Sequence, residues 1–399
     1  MTDPLGQSQI LPYLINLSKE SFYIRIISFE KPALYTQKAT AINELISNYK
    51  ISWLPLYYTK RPPVISTLID IFKLKKVVIK EIKKNKPGII HCRSYIPSII
   101  ALKQCRKHQI KFLFDMRGFY ADERVEGKIW NLNNPVYRLI YNYFKKKERQ
   151  FLHNSDSVIS LTQAAKSFIL KRENLYIDDN KISVIPCCAD FEHFKPRGDN
   201  IRKENREKLK IGKNTFVLTY LGSLGTWYLV EEMLMFFKLL KEKNADSLFL
   251  IISYQQISNY KMYYTDLGLK DSDFINIKVD RNSLPEILSV TDFGISFIKP
   301  SFSKMASSPT KVGEMLAMGI PIVVNKNVGD MDLVFSDPNI GFVVDTDNPH
   351  TYNNIIDKIF NKNKFNPELI RSIAYNYYDL DNVGIAKYKS IYNKLILKS

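Results

Sequence analysis

Twelve short runs rich in β-branched and aromatic residues punctuate the chain, each separated from the next by a polar or amphipathic stretch. Six lie in the first half: YIRIISF (23–29), ISWL (51–54), IIHCR (89–93), FLFDM (112–116), SVISLT (157–162) and ISVIP (182–186). Six more follow: FVLTYLG (216–222), SLFLIIS (247–253), INIKV (275–279), DFGISFI (292–298), PIVVN (321–325) and GFVVD (341–345). Strands this continuously apolar have to be buried on both faces, and helices in the connections are what cover them, so the pattern predicts parallel sheets of the α/β class. Between the two sets, FKPRGDNIRKENREKLKIGKN (194–214) contains no apolar run. It reads as a linker with a short helix, which makes two successive doubly wound units with a boundary near residue 195.

Composition removes several function classes. With 399 residues, 45% hydrophobic and 25% charged, the chain has the make-up of a globular protein and not of a disordered or collagen-like one. No apolar run reaches the roughly 18–20 residues of a membrane-spanning helix. MTDPLGQSQ lacks the charged-then-apolar order of a signal peptide, so the chain reads as soluble and intracellular. Cys92, Cys105, Cys187 and Cys188 show no C-x-x-C spacing, and the five histidines are scattered without an H-E-x-x-H motif. Reduced core cysteines and no metal are therefore expected.

The formal net charge is +18, and most of it falls in residues 51–150, which hold 22 Lys and Arg against 7 Asp and Glu. Much of the excess sits on two predicted helices, 64–86 and 136–152. In the first, Leu68, Ile71, Phe72, Val78, Ile79 and Ile82 recur at helical spacing and predict the buried face, with lysines opposite. Such a face is either simply solvated or turned toward an anionic surface, membrane headgroups or nucleic acid. The chain lacks an aromatic-basic recognition motif, which argues against nucleic acid.

The start is unusual for a doubly wound unit, which opens with an apolar strand, a glycine turn and a helix. Here the turn comes first, at Pro4, Leu5 and Gly6, followed by helical 7–20. The strand expected before it, central in such a sheet, is missing from the pattern, so an upstream apolar segment of roughly ten residues is expected.

The densest chemistry lies in FSKMASSPTKVGEMLAMGIPIVVN (302–325). Ser308 suits an N-cap, Pro309 the first helical position and Gly319 the helix end. Lys311 then falls in the first turn, where the helix dipole disfavours a cation. A bound phosphate would resolve that conflict, and Glu314, one turn on, could accept hydrogen bonds from sugar hydroxyls. A surface Lys/Glu pair is the other reading. YLGSLGTWY (220–228) adds a G-x-x-G turn at Gly222 and Gly225 that lets backbone approach a phosphate. It matches neither the dinucleotide fingerprint nor a P-loop.

Together SSPTKVGEMLAMGIPIVVN, YLGSLGTW and IPCCADFEHF (185–194) resemble the retaining glycosyltransferases of family 4, of GT-B architecture. DMRGFYADERVEGKIW (115–130) and TDPLGQSQILPYL (2–14) resemble its bacterial surface-polysaccharide branch. The resemblance implies two Rossmann-like domains facing a cleft: an acceptor domain over 1–195, a nucleotide-sugar domain over 196–375, and a C-terminal helix over 376–399 crossing back to the first. It implies a UDP- or GDP-sugar donor and a glycan or lipid-diphosphate-linked acceptor. It also implies a cytoplasmic enzyme, peripheral on an anionic inner membrane face, without metal or cofactor.

The donor-side residues implied are Gly222, Ser223, Thr226, Val279, Ser308, Pro309, Thr310, Lys311 and Glu314. The acceptor-side residues are Gly6, Gln7, Arg93, Arg117, Gly118, Asp122 and Glu123, with Arg117, Lys311 and Glu314 assigned to catalysis. Two departures matter. The family's E-x7-E pattern is incomplete, since Ala306 stands eight before Glu314, and Ser223 and Trp227 replace its usual cations after the first donor strand. Lys311 is the candidate substitute. Arg117-Gly118 stands where many relatives have His-Gly, and Arg117 either holds a diphosphate or pairs with Asp115, Asp122 or Glu123. A sugar-nucleotide epimerase of the same architecture and an inactive donor-binding subunit are the alternatives.

Overall fold

The computed structural model describes residues 1–62, 64–172, 176–360 and 365–397. It divides into two units, Met1–Pro186 with Leu380–Ser399, and Cys187–Asp379. All twelve expected strands form: β1 Ile24–Glu30, β2 Ile51–Tyr57, β3 Ile89–Arg93, β4 Lys111–Asp115, β5 Ser157–Ser160 and β6 Ile182–Val184 in the first unit. The second unit holds β7 Phe216–Leu221, β8 Ser247–Ile252, β9 Phe274–Ile277, β10 Phe293–Ser296, β11 Ile322–Asn325 and β12 Gly341–Val344. Among the described residues, every pairing between these strands is parallel.

The second unit is one sheet of order β12-β11-β10-β7-β8-β9. Its strands alternate between two buried faces. Val217, Leu221, Leu250 and Ile252 enter one core, while Leu218, Tyr220, Phe249 and Ile251 enter the other. Burial on both sides is why these strands read as unbroken apolar runs.

The first unit differs from a continuous sheet. β1 and β2 form a two-stranded piece, and β3-β4-β5-β6 a four-stranded one. The Ile65–Asn85, Tyr95–His108 and Pro135–Asn154 helices pack in succession beside it. Tyr95, Phe112, Phe114 and Phe151 are buried in its core.

The compact second unit begins at Cys187, and Phe191 and Phe194 are buried in its core. Arg371 fixes them there, donating to the carbonyls of Phe191 and Phe194, each at 2.6 Å. The polar stretch that follows is no linker. Its Asp199–Lys208 helix docks through buried Arg206, which donates to the carbonyls of Val290 (3.0 Å) and Gly212 (3.1 Å).

The Ile65–Asn85 helix keeps only part of the predicted face inward: Ile82 is buried and Ile71, Val78 and Ile79 are half-buried, but Leu68 and Phe72 are 60% and 55% exposed, and Ser66, Asp70 and Leu74 are buried with Ile82. Asp70 points in because it accepts from the Thr59 amide and hydroxyl, the latter at 2.7 Å. Finally, the predicted 7–20 helix is two, Pro4–Gln9 and Leu11–Lys19, broken at Ile10 ahead of Pro12.

Candidate active site

In the second unit the chain runs β7, β8, β9 outward on one side, then returns to place β10, β11 and β12 on the other. The neighbours β7 and β10 therefore mark the topological switch point, where loops leaving the carboxyl ends diverge and ligands are bound. Gly222, Ser223 and Thr226 leave β7 there, and Ser308–Glu314 follow β10. Val279 and Arg281 follow β9.

The β7 loop is conformationally demanding. Gly222 has φ 154° and Gly225 φ 92°, both outside the range of ordinary residues. Thr226 holds φ 54°, an unfavourable state for a β-branched side chain, with Ser223 and Thr226 exposed. The Trp227 carbonyl accepts from the Lys299 amide at 2.8 Å, which joins this loop to the one after β10. Buried Lys304 places its ammonium 3.8 Å from the centre of the Trp227 ring. A cation thus does stand beside this loop, contributed by the other segment. Nothing in the periodicity around Lys304 marks it in advance.

The motif helix runs Thr310–Ala317, and its N-cap is Pro309, without a side-chain cap. Ser308 is not the cap because its hydroxyl accepts from the Cys187 amide at 3.0 Å. Gly313 brings the helix against the Tyr378 ring, which a Cβ there would meet at 3.2 Å. Glu314 is fully buried. Its Oε1 accepts from Arg281 Nη1 and its Oε2 from Lys311 Nζ, both at 3.0 Å. Lys311 in the first turn is explained by that carboxylate, which is neither on the surface nor singly paired. Arg281 carries no motif signature, and only the fold brings it within reach of Glu314.

In the first unit, Arg93 ends β3 and Asp115 ends β4, in register. The buried Asp115 Oδ2 lies 3.6 Å from both Arg93 Nη1 and His91 Nε2, and accepts from the Tyr388 hydroxyl at 3.3 Å. Burial would raise its pKa, but Arg117, His91 and Arg93 outweigh that and hold the carboxyl below its ordinary value. Arg117 and Gly118 adopt φ 56° and 116°, a left-handed pair that turns the chain sharply after β4. Tyr392 donates to or accepts from His91 Nδ1 at 2.8 Å. Sequence reasoning missed both tyrosines, since they return from the far end of the chain.

Arg93 and Arg117 line one cavity of about 1710 Å³. Asp122 is taken up elsewhere, accepting from Tyr141 Oη (2.8 Å) and Lys145 Nζ (2.6 Å), and Glu123 follows it in the Tyr120–Glu126 helix. Gly6 is forced by space, because a Cβ would collide with the Met1 carbonyl oxygen, and Gln7 donates to the Thr2 carbonyl at 3.2 Å. Among the described residues, no group of three His, Cys, Asp or Glu is arranged to hold a metal.

Residues 26–193 match the family model described as Glycosyltransferase Family 4, and residues 201–376 the model described as Glycosyl transferases group 1. The chain is 27% identical over 311 residues to an Escherichia coli UDP-Gal:alpha-D-GlcNAc-diphosphoundecaprenol alpha-1,3-galactosyltransferase, covering 74% of this chain and 71% of that protein. Among solved structures, a glycosyltransferase from Rickettsia africae superposes with a TM-score of 0.71 at 19% identity, covering 99% of this chain and 97% of that one. Anabaena HepE, in complex with UDP and glucose, gives 0.65 at 14% identity, covering 92% and 99%. The strand order, the Glu314 helix at the switch point and both family matches converge, and the chain belongs to the family 4 glycosyltransferases of GT-B fold.

Proposed function

We propose that the chain transfers a hexosyl or N-acetylhexosaminyl group from a UDP-sugar to a lipid-diphosphate-linked glycan during bacterial surface-polysaccharide assembly, with retention of configuration. The observation that carries this is the Glu314 carboxylate, buried and held by Arg281 and Lys311 on the helix that follows the switch point. So held by two charged donors, the carboxylate has a fixed orientation, which supports a role in positioning the donor. The E. coli relative uses UDP-galactose and a diphosphoundecaprenol-linked acceptor, and HepE was solved with UDP, which supports UDP over GDP.

In the reaction, the bond between the sugar C1 and the diphosphate oxygen breaks while C1 bonds to an acceptor hydroxyl oxygen. The acceptor proton passes to the departing diphosphate, so no protein nucleophile is required. Catalysis is then positioning and charge stabilisation, for which Lys311 and Arg117 are the assigned cations. Protein cations also make a metal unnecessary, and activity should be unchanged by EDTA.

No helix among the described residues is long and apolar enough to cross a membrane. The exposed Ile65, Leu68 and Phe72 beside Lys75, Lys76 and Lys80 support peripheral binding to an anionic leaflet on the cytoplasmic side. The test is thermal unfolding with UDP and GDP, followed by turnover of UDP-galactose with a GlcNAc-diphosphate lipid. UDP should raise the midpoint and GDP should not. A chain that no uridine nucleotide stabilises, or that hydrolyses or epimerises the donor without transfer, overturns this reading.

A further inference from the structure

The segment that closes β7 reads YLGSLGTWYL over 220–229 and contains no lysine or arginine. The first charged residues after it, Glu231 and Glu232, are acidic. Its two glycines let backbone approach a phosphate, yet a diphosphate seated there needs a positive charge that neither the loop nor the start of the next helix supplies. Lys311, on the motif helix, is tied to the Glu314 carboxylate at 3.0 Å.

The loop after β10 brings a cation to this place. Lys304 lies in the single turn Ser303–Ala306 and is only 7% exposed, which is rare for a side chain that normally keeps its charge in water. The turn is held from two sides. The Lys304 amide donates to the Ser301 carbonyl at 3.1 Å, and the Gly329 amide, from the loop after β11, donates to the Lys304 carbonyl at 2.8 Å. The ammonium lies over the Trp227 ring, 3.8 Å from its centre, where the negative face of the indole attracts a cation.

Trp227 is fixed to the same segment through backbone. Its carbonyl accepts from the Lys299 amide, the Leu229 amide donates to the Phe297 carbonyl at 3.1 Å, and Tyr228 and Ile298 form an antiparallel bridge. Asn325, at the end of β11, exchanges two hydrogen bonds of 2.8 Å with the Ile298 backbone. Segments leaving the carboxyl ends of β7, β10 and β11 therefore meet at one point, and Lys304 places charge there on a pinned scaffold.

We propose that Lys304 binds the diphosphate of the nucleotide-sugar at the β7 loop, with Trp227 positioning its ammonium. The inference rests on the donor reading above and names the residue that brings charge to the loop itself. When the bond between sugar C1 and the diphosphate oxygen breaks, the electron pair stays on that oxygen. Lys304 donates hydrogen bonds to the diphosphate and stays protonated, while the acceptor proton passes to the departing group. Because Lys304 meets phosphate and neither base nor ribose, its removal weakens UDP and spares uridine.

The test measures UDP and uridine affinities by calorimetry for the parent chain, Lys304→Met, Lys304→Met with Trp227→Lys, and Trp227→Leu, with the ligand-free thermal midpoint of each. Lys304→Met should lower UDP affinity about tenfold or more, as for loss of a charge-assisted hydrogen bond, and leave uridine affinity unchanged. Adding Trp227→Lys returns a cation to the same place and should restore most of the UDP affinity. Trp227→Leu keeps the lysine but removes its platform, so UDP should weaken about threefold with uridine again unchanged. If Lys304→Met fails to fold, Trp227→Leu decides alone. Equal loss of UDP and uridine, undiminished UDP affinity, or a Trp227→Lys that rescues nothing overturns the proposal. A parent chain that binds no UDP overturns the donor reading and this assignment with it, whereas a parent that binds UDP no better than the variants overturns this assignment alone.

Discussion

Glu314 is where residue identity matters most, because its buried carboxylate depends on two donors, Arg281 and Lys311. Arg281→Ala should destabilise the protein by about 1–3 kcal/mol, the cost of leaving a buried oxygen unsatisfied. Glu314→Gln should keep the fold and lower UDP-sugar affinity at least tenfold, measured by calorimetry; unchanged affinity would remove Glu314 from the donor site. Asp115 makes a pH-dependent prediction. Since the fold favours its ionised form, its contribution is complete above the ordinary carboxylate range and is lost as pH falls through the depressed value. Asp115→Asn should therefore cost roughly 3–5 kcal/mol near pH 7, as for a broken buried ion pair, with the gap to the parent chain closing below about pH 4. Urea titrations across pH check both sign and window. Individual residues were the least legible level in the sequence. Ser308 has every property of a cap, but the Cys187 amide, 121 positions away, uses its hydroxyl. Arg281 and Lys304 gain meaning only from partners that the fold delivers.

Strands were legible as elements because a parallel sheet buries both faces and leaves an unbroken apolar run in the sequence, as at β7 and β8. Helix faces were less so. In the Ile65–Asn85 helix the apolar stripe predicted a buried Leu68 and Phe72, yet Asp70 is drawn inward by Thr59, and Leu68 and Phe72 face solvent while Ile82 of the same stripe stays buried. The consequence is an exposed apolar strip rimmed by lysines, joined through the Tyr95–His108 helix to the Pro135–Asn154 helix, where Leu139 is 71% exposed. On the proposed membrane-bound reading, these apolar side chains insert among headgroups while the lysines meet anionic lipid. Leu68→Ser with Phe72→Ser should cut flotation with phosphatidylglycerol vesicles at least tenfold and leave the thermal midpoint within about 0.5 kcal/mol of stability, as for surface changes. Raising salt should weaken binding of the parent chain. Equal flotation of parent and double variant would rule the strip out as the contact.

At the scale of the whole molecule, the chain does not finish where its second unit finishes. Residues 380–397 return to the first unit, whose sheet carries Asp115 at the carboxyl end of β4 and His91 in the middle of β3. Tyr388 is 4% exposed, donates to Asp115 and stands edge-on to Tyr13 at 5.6 Å between ring centres. This closing segment has to be made last and pairs with residues synthesised near the start, so the first unit cannot complete its packing until the whole chain exists. Tyr388→Ala removes a fully packed aromatic side chain and should cost roughly 3–5 kcal/mol. It also strips Asp115 of a hydroxyl donor, so the damage should concentrate at the carboxyl ends of β3 and β4. Hydrogen exchange should accelerate there and in the Leu11–Lys19 helix. Stabilisation by UDP should persist, because the Gly222 loop, Arg281 and the Thr310–Ala317 helix all belong to the second unit. Transfer to the lipid-linked acceptor should fall while donor affinity holds. Loss of UDP binding in this variant would mean that the two activities are not divided between the units as assigned.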